Sequence, residues 1–187
     1  MNMPTVFIAG SIKIKRLDPR FVERIRNILD DKLDVVVGDA NGADSSIQMA
    51  LRDRFATQVT VYCSGDQPRN NVGFWRVKAI HSSAEPGTRA YFTANDKAMA
   101  KDADYGLMLW DAASAGTLSN VIELVKGGKK CVVFVNKSKS FLNIKQPDDL
   151  HQLVSVMSDG ARAEAEKKIG LRQKIAELTN PQFGLPL

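Results

Sequence analysis

From Thr5 to Val135 the apolar residues fall into short unbroken runs, and the stretches between them repeat apolar positions every three or four residues. The runs have strand length and the stretches helix length. Thr5-Val6-Phe7-Ile8-Ala9 predicts a buried first strand ending at Gly10-Ser11. Asp18-Pro19 predicts a helix start, aspartate as cap and proline in the first turn, with Phe21, Ile25, Ile28 and Leu29 as its apolar face. Val35-Val36-Val37 predicts a second strand, followed by a helix through Ile47, Leu51 and Phe55 capped near Asp44 or Ser45. Val59 to Cys63, Tyr105 to Trp110 and Lys130 to Val135 supply three more strands, and Asn95 to Ala103 and Gly116 to Gly127 supply helices.

Strands alternating with helix-length connections imply a parallel sheet covered on both faces. The expected fold is therefore a Rossmann-like, three-layer α/β sandwich with a mostly parallel sheet of about five strands, within residues 1–136. Residues 65–90 are rich in turn formers and predict a long irregular segment of the kind that serves a site or an interface. Residues 137–187 form an extension whose stretch from Gly160 to Thr179 reads as one amphipathic helix, packed on the domain or on a partner subunit.

Composition narrows the setting. No apolar run approaches the roughly 20 residues needed to span a bilayer, and the start of the chain has no signal-peptide character, so a cytoplasmic protein is expected. Cys63 and Cys131 lie in strand-like runs and read as core thiols, and neither His81 nor His151 has ligand spacing to them. No metal and no cofactor are expected. The net charge of +5 is spread along the chain, with a local run of Lys13, Lys15, Arg16, Arg20, Arg24 and Arg26. A spread charge favours a solvated surface over a continuous nucleic-acid track, so nucleic acid ranks below a small anionic ligand as the expected partner.

In an open parallel sheet, ligands collect beyond the carboxyl ends of the strands. Three loops leave strands at that edge: Gly10-Ser11, the run Gly38-Asp39-Ala40-Asn41-Gly42-Ala43-Asp44, and Asp111 to Thr117. Glycines permit close backbone approach, helix-start amides favour anions, and Ser11, Ser114 and Thr117 add hydroxyls. These loops predict a cradle for a nucleotide or a nucleotide-derived molecule. Neither the Gly-x-Gly-x-x-Gly fingerprint nor a Walker motif is present. Arg69 and Asn70 are expected to grip phosphate and order the irregular segment, while Trp75 and Trp110 can stack on a base or pack in the core.

The segments Phe7-Ile8-Ala9-Gly10-Ser11, Gly42-Ala43-Asp44, Arg69-Asn70, Ala103-Asp104 and Ser114-Ala115-Gly116-Thr117 together resemble the SLOG superfamily. That Rossmann-like group includes the LOG and DprA proteins, and the likeness, over about residues 5 to 135, is greatest to its YspA/YpsA-like branch. It implies a nucleotide-type ligand and a homodimer or larger homo-oligomer. Relatives that cleave N-glycosidic bonds carry a glutamate three residues after the Gly-Thr threonine, and here that position is Asn120. Asparagine can bond a ribose but cannot act as nucleophile or base at neutral pH. Binding is thus the first expectation. The alternatives are an N-glycoside hydrolase acting on a nucleoside monophosphate or nucleotide sugar through Asp39, Asp111 or Glu123, and a DNA-associated, DprA-like protein.

Overall fold

The apolar runs become strands of one sheet. The computed structural model describes residues 3–180. The strands are β1 (Thr5–Gly10), β2 (Asp34–Gly38), β3 (Val59–Ser64), β4 (Arg76–Ile80), β5 (Tyr105–Trp110), β6 (Lys130–Val135) and β7 (Ser140–Ile144), in the order β4-β3-β2-β1-β5-β6-β7. The first six run parallel and β7 closes one edge antiparallel to β6. On one face, α1 (Pro19–Asp30) and α2 (Ala43–Arg52) bury Phe21, Ile25, Ile47 and Leu51 against Val6, Ile8 and Val37. On the other, α3 (Arg89–Asp102) and α4 (Ala115–Lys126) bury Met99, Leu118, Val121 and Leu124 with Phe7, Met108 and Val133. The result is the three-layer α/β sandwich that the alternation predicts.

Two strands exceed the expected five. β4 lies inside the segment read as irregular, because Arg76-Val77-Lys78-Ala79-Ile80 is an edge strand with charged positions and lacks a continuous apolar run. β7 is the opposite edge strand. Helix α3 begins at Arg89, well before Asn95, where the Thr88 hydroxyl caps it by accepting from the Tyr91 amide. The single C-terminal helix is in fact two, α6 (Asp159–Ile169) and α7 (Leu171–Thr179), broken at Gly170 with φ +62°. They cover α4, and with α5 (Leu150–Val156), which packs on β7, they add Leu153, Ala165, Leu171 and Ile175 to the second core. Phe55 leaves the apolar face expected of it. Helix α2 stops at Arg52, and the Phe55 and Ala56 amides close the turn on the Arg52 and Leu51 carbonyls, turning the Phe55 side chain out to solvent.

Between β3 and β4 the chain crosses back without a helix, and α2 holds it by side-chain bonds. Gln48 donates to the Gly38 carbonyl at 2.8 Å and the Asn70 carbonyl at 3.1 Å, and accepts from the Val72 amide at 3.1 Å. Asn71 brackets Trp75, accepting from its amide and donating to its carbonyl, and the indole N–H donates to Ala56 O at 2.7 Å. Both cysteines are buried thiols. Among the described residues, no helix is long and apolar enough to cross a membrane, and no group of three or more His, Cys, Asp or Glu side chains could hold a metal ion.

Candidate functional site

The strand order reverses at β1: β2 to β4 build outward on one side, and β5 to β7 on the other. The loops leaving β1 and β5 therefore diverge and open a crevice at the carboxyl edge. Its floor is a bonded hydroxyl cluster. The Ser11 amide donates to Leu109 O at 2.8 Å; its buried hydroxyl accepts from the Asp111 amide at 3.1 Å and lies 3.2 Å from the Thr117 hydroxyl. Asp111 Oδ1 accepts from the Ala113 and Ser114 amides at 2.9 and 2.6 Å, which fixes the turn into α4. These bonds spend the hydroxyls of Ser11 and Thr117 on the floor and leave Gly116 exposed at the start of α4. The Trp110 ring is buried, with its N–H on Ser114 O.

Above this floor lie two chambers that share Arg89, Gly116 and Lys168. The first, about 620 Å³, is bounded by Ile12 and Lys13 after β1, by Asp111 and Ser114, and by Gly160 and Glu164 of α6. The second, about 450 Å³, runs between α3 and α4, past Phe92, Asp96, Lys97, Asn120 and Glu123, to Lys174 of α7. Five cations therefore line the groove that these two adjoining chambers make: Lys13, Arg89, Lys97, Lys168 and Lys174. Among the described residues, only Lys168 is in a salt bridge, with Glu164 at 3.6 Å. Arg89, Lys97, Lys168 and Lys174 are absent from the sequence-based candidates. All four lie on helices whose bounds differ from those the pattern predicts, and only the fold brings them to Lys13.

The remaining candidates form a closed junction beside the groove. A side chain at Gly42, whose φ is +80°, would place its Cβ 2.0 Å from Ile12 O, and a Cβ on Gly10 would lie 2.8 Å from that of Ala43. The two glycine loops are thus packed on each other. Asp39, 2 % exposed, accepts from the Arg69 guanidinium at 2.7 and 3.3 Å and from its amide at 2.8 Å, while the guanidinium lies 4.6 Å above the Phe92 ring. Asn70 donates to Asp39 O and to Asn41 Oδ1, binding the crossover to the β2 loop. Burial pushes the Asp44 carboxyl up to about 8, with the Asp96 carboxylate adding and the Ala40 amide opposing. Burial likewise raises Asp96 to about 7, against the pull of Arg69. Of the three catalytic candidates, Asp111 and Glu123 reach the groove, and Asp39 lies in the junction with Arg69.

No family model and no curated protein matches the chain. Among solved structures it is similar to DNA processing protein A from Helicobacter pylori, described for its single-stranded DNA binding mode, with a TM-score of 0.57 over 92 % of this chain and 82 % of that one. At 14 % identity the likeness is one of fold alone. The expected ranking of partners needs correction: nucleic acid does not belong below a small ligand, because the structural relative is a protein described for binding single-stranded DNA. Charge counted along the sequence spreads the five cations out, whereas the fold gathers them around two adjoining chambers.

Proposed function

We propose that the chain binds single-stranded nucleic acid along the groove at the carboxyl edge of its sheet. The observation that carries this reading is the set of five cations, against four carboxylates, around two adjoining chambers. One phosphate needs one or two cations, whereas a row of them suits a chain of phosphates. Exposed Gly116 at the start of the twelve-residue helix α4 offers backbone amides to one of those phosphates. The relative's single-stranded DNA binding supports the same choice of ligand. We also read the chain as a SLOG-type protein, with the YspA/YpsA-like branch as the narrower assignment.

The test is the salt dependence of binding to an oligothymidylate. Five phosphate contacts correspond to a slope of about −3.5 in log K against log salt, so a rise of about fourfold in salt lowers affinity about 100-fold. Replacing Lys13 and Lys168 by alanine reduces the slope by about 0.7 each. A flat salt profile sinks the proposal. A free nucleotide is the second reading, favoured by a first chamber of about 620 Å³, a size typical of small-molecule sites. It takes over if a mononucleotide binds as tightly as the strand. The N-glycoside hydrolase alternative rests on Asp111 and Glu123, and it requires release of a free base.

A further inference from the structure

At the opposite end of the sheet, where the parallel strands begin, two phenylalanines stand in solvent. Phe55 is 90 % exposed and Phe74 is 95 % exposed. The bond from the Trp75 indole to Ala56 O brings their chain neighbours together, so both rings belong to one end of the sheet, beside the open edge strand β4. Each sits at positive φ, +55° and +53°, in turns where glycine is the residue of least strain. The sequence thus holds two large aromatic surfaces in water, at positions that favour neither their backbone conformation nor their burial. Arg54 follows α2 and Arg76 opens β4, and among the described residues neither is in a salt bridge.

We propose that Phe55 and Phe74, with Arg54 and Arg76, form a stacking platform for unpaired bases of a nucleic-acid strand. The proposal rests on the nucleic-acid reading above and extends it to a second surface. Aromatic faces accept every base, and neighbouring guanidinium groups meet the phosphates between them. A second copy of this chain is the poorer occupant. Antiparallel pairing of two β4 edges about Val77 would set Arg76 and Lys78 directly opposite each other, and like charges in that position destabilise a sheet. Arg76, which is in no salt bridge among the described residues, instead complements a polyanion, while Lys78 is paired with Asp102.

The experiment titrates a fluorescent oligothymidylate, long enough to reach both ends of the sheet, into the full chain and its variants, reading affinity, salt slope and thermal stability. Phe55→Gly with Phe74→Gly is expected to keep or raise the melting temperature, since glycine suits both backbones. It is expected to lower affinity at least about 10-fold while leaving the salt slope unchanged, because stacking releases no counterions. Phe55→Tyr with Phe74→Tyr retains the rings and is expected to bind like the parent. Unchanged affinity in the glycine variant overturns the platform, and so does a change confined to self-association. If that variant loses binding while Lys13→Ala with Lys168→Ala keeps it, the platform stands and the groove falls. If the parent chain binds no strand, both fall.

Discussion

Asp44→Asn is the substitution whose outcome follows most directly from the structure. An acid in the first turn of a helix normally stays ionised, favoured by the helix dipole. Here burial wins. The Asp44 carboxyl fills the space over Gly38, where a Cβ would lie 2.5 Å from Oδ2, and its one amide donor, Ala40 N, is 3.4 Å away. Its pKa rises to about 8 from an ordinary 3.8, so the folded chain keeps a proton that the unfolded chain has released. That proton's contribution to stability is fully present below about pH 4, shrinks as the pH rises, and is gone above about pH 8. Between about pH 7 and pH 9 the loss through Asp44 is about 1.4 kcal/mol, or roughly 3–6 °C in melting temperature for a chain of this size. Asp96 acts in the same direction, mostly below about pH 7, and the buried thiols do so above about pH 9. Both contributions remain in the variant, which is neutral and nearly isosteric at position 44. The readout is therefore the difference between two melting curves followed across pH. The variant should gain on the parent by those 3–6 °C as the pH rises, and parallel curves would refute the argument.

Removing the Arg69 side chain with Arg69→Met strands the Asp39 carboxylate in a site that is 2 % exposed. Because the guanidinium is itself 44 % exposed, the expected cost is discounted to about 2–4 kcal/mol in urea unfolding, and Asp39→Asn in the same chain should recover a good part of it. Gly42→Ala forces a Cβ to within 2.0 Å of Ile12 O at a φ of +80°. It should cost more than about 2 kcal/mol and open the β1 loop to limited proteolysis, with unchanged protease resistance counting against a packed junction.

The layers of the fold were legible in the sequence because buried parallel strands must be continuously apolar, and β1, β2, β5 and β6 are. The edges were not. An edge strand such as β4 has one open side and carries Arg76 and Lys78, so its composition resembles a loop. Gly170 is visible in the sequence as an interruption, and its left-handed conformation is what divides α6 from α7. The loops at the carboxyl edge were found, yet their glycines serve close packing as much as access, which only the neighbouring atoms at Gly10 and Gly42 reveal. The cations of the groove are distant in sequence, and no spacing rule connects Lys13 to Lys174.

Gly170 has a consequence for how the two ends of the chain communicate. Without the break, the residues from Asp159 to Thr179 would form one rod of about 30 Å, whereas the left-handed turn folds them back over α4 and makes them a wall of the groove. On the nucleic-acid reading proposed above, a strand held between Lys13 and Lys168 would fasten the loop after β1 to helices α6 and α7. By linkage, whatever loosens α6 and α7 would then weaken the grip on the strand, and the strand in turn would protect those helices from opening.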